Sequence, residues 1–159
     1  MAKKEQGFTP IKTKARTRKI TTYDLEWLPE TMHLRCVGVY DERGYRAYTD
    51  ANGVSAMDRF LNKELTGKNA GRWFYAHAGG LADVQFVLEK LFRRPEFLVG
   101  AAFSGSSAII VKVQKGKMKW NFLDSFWTLQ GSLAKIGTSM GMEKGDCAWD
   151  APMGELLDY

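Results

Sequence analysis

Three runs in the middle of the chain constrain its fold most. "EFLVGAAF", "AIIVKVQ" and "MKWNFLDSF" are separated only by the turns Ser104-Gly105-Ser106 and Lys115-Gly116-Lys117. Apolar and β-branched runs joined by such short, glycine-centred turns pair with their neighbours in succession, which predicts a β-meander. Upstream, "ITTYDLEWL" reads as a strand ended by Pro29. "HLRCVGVYDERGYRAYTD" reads as a hairpin turning at Asp41-Glu42-Arg43-Gly44, and "RWFYAH" as a short buried strand. Two helical patterns intervene. Val54, Met57, Phe60, Leu61 and Leu65 recur at helical spacing, and so do Val84, Val87, Leu88 and Leu91 before Pro95. A third helix is expected over "LQGSLAKIGTSMG", carrying Leu129, Leu133 and Ile136, and "ELLDY" reads as the start of another. The order of hairpin, helix, strand, helix, meander and helix predicts an α/β chain: a mixed central sheet with flanking helices.

A length of 159 residues suits one domain with a real core. The longest apolar run, "FLVGAAF", is too short to span a bilayer, so no membrane role is expected. No secretory signal is read at the start of the chain. Cys36 and Cys147 form no C-x-x-C pair, so neither a zinc site nor a disulfide framework is predicted, and an intracellular protein is expected. The net charge of +5 is unevenly placed. Lys3, Lys4, Lys12, Lys14, Arg16, Arg18 and Lys19 against Glu5 put +6 in residues 1–19 and leave about −1 for the rest. The division expected is a flexible basic arm at 1–19 and a folded domain at 20–159. Such an arm serves solubility or contacts phosphates.

Asp24 and Glu26 stand two apart on the first strand, so both project from the same face while Leu25 projects from the other. A solvated surface strand accommodates such a pair, and so does half of a divalent-metal site. Asp83 lies at the start of the second helix, where a carboxylate caps backbone N–H groups or serves as a further ligand. Hard cations such as Mg²⁺ are held by a few carboxylates with water and substrate phosphate. His77 follows a buried strand and reads as a packed, hydrogen-bonded histidine or as a ligand. Tyr75 belongs to the sheet or offers a stacking face for a base. Lys112, Lys115, Lys117 and Lys119 surround a hairpin tip, where lysines keep an edge soluble or contact a DNA backbone.

With these residues in place, the chain over roughly 20–159 resembles the 3′–5′ exonuclease domain of protein-primed family-B DNA polymerases, the phage, adenovirus and linear-plasmid type. Asp24 and Glu26 match its D-x-E motif. "HAGGLAD" matches an H-N-x-x-F-D stretch in frame, with His77 and Asp83 kept and with Ala78 and Ala82 where the family uses Asn and Phe to hold single-stranded DNA. "DSFWTL" matches D-S-L-x-x-h through Ser125, Phe126 in place of Leu, and Leu129; "KGDC" matches K-x-x-h through Lys144 and Cys147. The family's last motif, Y-x-x-x-D, would begin at Tyr159 and place its Asp beyond that residue. Asp124, Asp146 and Asp150 are possible replacements that no spacing distinguishes.

The resemblance implies a ribonuclease-H-like exonuclease fold with an added β-meander, lacking its final helix. It implies Mg²⁺ or Mn²⁺ held by Asp24, Glu26 and Asp83, with Lys144 near the scissile phosphate. Ser125, Phe126, Leu129, Tyr75 and His77 would position single-stranded DNA. A second reading is a catalytically reduced nucleic-acid-binding domain, or a fragment whose last helix comes from a second chain or a downstream polymerase region. A missing helix would leave an apolar patch.

Overall fold

The computed structural model describes residues 17–80 and 82–142. One seven-stranded mixed sheet runs through them, in the order β3-β2-β1-β4-β7-β6-β5. Its strands are β1 (Ile20–Leu28), β2 (His33–Asp41), β3 (Gly44–Thr49), β4 (Trp73–Ala76), β5 (Leu98–Ser104), β6 (Ser107–Lys115) and β7 (Met118–Asp124). β1, β4 and β7 run parallel, and every other pairing is antiparallel. The predicted hairpin is β2–β3, and the predicted meander is β5–β6–β7.

Period-two patterning decides which side of the sheet is core. Along β1, Thr21, Tyr23 and Leu25 are buried while Thr22, Asp24 and Glu26 are exposed. Tyr23, Leu25, Val37, Val39, Phe74, Val111, Val113, Trp120 and Phe122 join one apolar cluster with two helices, α1 (Ala56–Glu64) and α2 (Asp83–Phe92). Phe60 of α1 is the hub, with ring centroids of Tyr23, Tyr48, Phe74 and Phe122 between 5.8 and 6.3 Å from its own. Ser55 caps α1, accepting from the Asp58 amide. Asp58 then ties α1 to Lys90 of α2 and to Arg94 just beyond it; burial would raise its carboxyl, but hydrogen bonds from Ser55, Arg94 and Lys90 outweigh that and hold it down at about 2.

The other side of the sheet carries exposed Ile20, Tyr40 and Tyr45 and half-buried Trp73 and Tyr75, the Trp73 ring lying under the Arg18 guanidinium.

The sheet has two chemically different ends. Where β1, β4 and β7 begin, Asp41 accepts hydrogen bonds from Thr21, Arg43, Arg46 and Arg72, and Glu64 from Arg43, Arg46, Tyr48 and Asn69. Arg72 also pairs with Glu42. Three carboxylates meet three guanidiniums, so the buried charges are matched. The other end, where the parallel strands finish, carries Asp24, Glu26, His77, Asp83, Ser125 and Phe126.

Val54, read with the first helix, lies before its Ser55 cap in a bridge to Ala51, and two further boundaries near the site differ from expectation. The last strand of the meander stops at Asp124 rather than Phe126, because the Asp124 side chain accepts from the Phe126 amide and opens a 3₁₀ turn, Ser125–Trp127. The third helix, α3 (Leu133–Ser139), begins after Leu129 rather than with it, since Gly131 takes φ 131° and Ser132 provides the cap. Among the described residues no helix is long and apolar enough to cross a membrane.

Candidate functional site

Glycines shape the loop that carries the chain from β4 into α2. A Cβ on Gly79 would come within 2.6 Å of the Ala76 Cβ and 2.8 Å of Asp83 Oδ2. On Gly80 it would come within 2.5 Å of the Ala108 carbonyl oxygen. The loop therefore lies flat against β6, and the Gly79 carbonyl accepts the Val84 amide at 3.0 Å to start α2. That start places Asp83 in the first helical turn, at the helix start expected for it, while Ala82 supplies no side-chain cap.

Asp83 is buried, and its carboxyl is pushed up to about 7. Burial is the main cause, and the negative charges of Asp24, Asp124 and Glu26 add to it in that order. The D-x-E pair and the helix-start acid thus lie within electrostatic reach of one another. Beneath them, the buried Tyr23 hydroxyl is raised well above its ordinary range by burial and then by Asp83, Asp124 and Asp24. It stays neutral and contributes no further charge. Cys36 is also buried, its thiol raised first by burial and then by Glu26, so it is no reactive thiolate.

Asp124 plays a part that spacing alone did not reveal. One of its oxygens accepts the Ala78 amide at 2.8 Å and the Phe126 amide at 2.9 Å; the other accepts the Gly80 amide at 3.0 Å. Three backbone donors commit this carboxylate to holding the loop and the 3₁₀ turn together, which argues against its use as a replacement ligand. A sequence signal did exist: an Asp at a strand end, followed by Ser and a short helical turn, is a pattern for side-chain-to-backbone capping.

His77 is packed and hydrogen-bonded. Its Nε2 lies 2.7 Å from the Gly131 carbonyl oxygen and must donate to it; its Nδ1 lies 3.0 Å from Ser125 Oγ. Ser125 Oγ is also 3.0 Å from the Ala76 carbonyl oxygen, so this serine faces inward. Phe126 stands beside the imidazole at 6.1 Å and is 41% exposed. Leu129 donates its amide to the Ser125 carbonyl and leaves its side chain exposed. Tyr75 lies two residues before His77 on β4, its ring 6.3 Å from that of Trp73 on the sheet face opposite the helices. Lys144, Asp146, Cys147 and Asp150 lie outside the described residues, as do most of the basic arm and the "ELLDY" segment.

Among the described residues, no group of three or more His, Cys, Asp or Glu side chains is placed to hold a metal ion together. The chemistry of the donor set still suits a hard divalent cation. Such an ion takes one or two carboxylates and completes its shell with water and phosphate oxygens. A carboxyl whose proton is retained by burial and by neighbouring negative charge is one that a cation would deprotonate.

No family model and no curated protein matches the sequence. Its structure is similar to that of phi29 DNA polymerase complexed with single-stranded DNA, at 19% identity and a TM-score of 0.63, over 87% of this chain and 27% of that one. It is likewise similar to phi29 DNA polymerase complexed with primer-template DNA, again at 19% identity and a TM-score of 0.63, over 86% and 26%. The chain therefore spans about a quarter of the length of these polymerases. At this identity the likeness is one of fold: the seven-stranded mixed sheet with flanking helices fits a ribonuclease-H-like exonuclease fold.

Proposed function

We propose that the chain is a metal-dependent 3′–5′ exonuclease domain of the proofreading type, related to protein-primed family-B DNA polymerases and acting on single-stranded DNA ends. The observation that carries this reading is the placement of Asp83, buried at the start of α2 within electrostatic reach of Asp24 and Glu26, in a fold similar to that of a DNA polymerase complexed with single-stranded DNA. Asp24, Glu26 and Asp83 would hold Mg²⁺ or Mn²⁺, which when bound supplies an activated water and neutralises charge at the leaving oxygen. The chain's own contribution is positional. Tyr23 closes the floor beneath the acids without adding charge, Asp124 fixes the loop that leads to Asp83, and the Ser125–Phe126 turn flanks that loop. Lys144 keeps the role near the phosphate that the resemblance implies.

The test is incubation of the purified chain with a single-stranded DNA carrying a free 3′ end, first in Mg²⁺ and then in Mn²⁺, beside an Asp24→Ala control. Stepwise shortening from the 3′ end, lost in the control, is the expected outcome. Binding of the same DNA without any shortening would favour the second reading, a catalytically reduced nucleic-acid-binding domain. That reading draws on Ala78 in place of the family's Asn and on a His77 whose two ring nitrogens are already engaged.

A further inference from the structure

Trp127 is the residue of the 3₁₀ turn to which neither the motifs nor the site geometry assigns a task. Three residues per turn set successive side chains about 120° apart, so Ser125, Phe126 and Trp127 diverge. Ser125 points inward to Ala76 and His77, and Phe126 lies against the His77 ring. Trp127 leaves 43% of its surface in solvent. The backbone beneath it is fixed on both sides: Asp124 holds the Phe126 amide, and the Ser125 carbonyl accepts the amides of Thr128 at 2.9 Å and Leu129 at 2.7 Å. An exposed indole on so constrained a turn is already ordered for contact and loses little entropy on binding.

Its position identifies the partner. The same Asp124 oxygen receives the Phe126 and Ala78 amides, so the turn begins within two hydrogen-bond lengths of the loop that leads to Asp83. We propose that Trp127 is a base-stacking residue for single-stranded nucleic acid. It takes a base of the strand whose phosphates approach the acids, on the side of the turn away from Phe126. This rests on the functional reading above. Base–aromatic stacking is tolerant of sequence and strong enough to position a strand, and the diverging Phe126 and Trp127 rings would separate the bases they contact.

The experiment measures binding of a 5′-labelled oligo(dT) by fluorescence anisotropy, without divalent metal so that nothing is cleaved, for the wild-type chain, Trp127→Ala and Trp127→Phe. A parallel set of oligonucleotides lacks one base at successive positions from the 3′ end. Trp127→Ala is expected to weaken binding about tenfold, corresponding to roughly 1.4 kcal/mol, and Trp127→Phe by much less. At one abasic position the tenfold difference between wild type and Trp127→Ala should disappear. Equal affinity of Trp127→Ala and wild type would overturn the stacking role while leaving the nucleic-acid reading intact. So would a loss of equal size at every abasic position, which marks a merely structural effect. No binding of any oligonucleotide by the wild-type chain would overturn both. Thermal unfolding of the variants separates binding loss from misfolding.

Discussion

Ala78, Gly79 and Gly80 show how one backbone loop can place a residue against its preference on one side and leave no alternative on the other. Ala78 takes φ 56°, a left-handed conformation that costs an L-residue about 1 kcal/mol or more and that Asn or Gly adopts more readily. Its side chain is exposed, so little packing is lost by removing the methyl group. Ala78→Gly should therefore stabilise the fold by roughly 0.5–1 kcal/mol, the relief of strain exceeding the added freedom of the unfolded chain. Gly80 is constrained by space instead. Its amide is held by Asp124, and its carbonyl accepts the amide of Ala108, the same residue whose carbonyl oxygen a Cβ would strike. Gly80→Ala should cost roughly 2–3 kcal/mol. Denaturant melts of the two variants should move in opposite directions; movement in the same direction would mean that this loop geometry does not govern stability.

At the scale of elements, the β4–α2 loop and the Ser125–Trp127 turn are one mechanical unit because a single carboxylate serves both. Asp124→Asn keeps the shape but offers one acceptor oxygen and turns an N–H₂ group toward a backbone donor. At least one of the Ala78, Gly80 and Phe126 amides then loses its partner in a buried setting, at a cost of roughly 1–3 kcal/mol. Hydrogen exchange should accelerate at those amides together while Val111 and Phe74 in the sheet stay protected; acceleration confined to one of the two elements would show that they are not coupled. This unit also marks the limit of what the sequence discloses. The strands, the meander and both core helices were legible because alternation and helical spacing are local patterns tied to burial. The shared face of Asp24 and Glu26 and the first-turn position of Asp83 were legible for the same reason. What Asp124 holds depends on two segments more than forty residues apart in sequence, Ala78 and Gly80 against Phe126, and no local period encodes that meeting. The start of α3 escaped similarly: the apolar spacing that includes Leu129 continues across Gly131, whose positive φ breaks the helix there.

For the whole molecule, the two ends of the sheet respond oppositely to pH. At the end where the parallel strands begin, burial alone would raise the Asp41 carboxyl, but hydrogen bonds from Arg43 and Arg46 outweigh it and hold the group far below the ordinary carboxylate range. Beside it, the Arg72 hydrogen bond lowers Glu42 to about 2. Groups lowered on folding contribute stability above their unfolded value, and that contribution is lost as pH falls through the folded one. Asp83 works the other way. Its carboxyl rises from 3.8 to about 7, so its contribution is complete below pH 3.8 and is lost as pH climbs to 7. Stability should therefore be greatest at mildly acidic pH and decline toward pH 8. Asp83→Asn removes that alkaline decline and should be more stable than wild type at pH 8, by roughly 4 kcal/mol at most. A divalent cation bound among Asp24, Glu26 and Asp83 would do what the proton does at lower pH. At pH 8, Mg²⁺ or Mn²⁺ should then raise the melting temperature of the wild-type chain, and EDTA should reverse the gain. Asp83→Asn, already relieved of its buried charge, should begin higher and gain less from the metal. Melting curves for the two proteins at pH 5 and pH 8, each with and without Mg²⁺, decide the matter. If the metal gives equal gains in both proteins, the ion is bound elsewhere; if it gives none in wild type, the acids at this end of the sheet do not form a cation site.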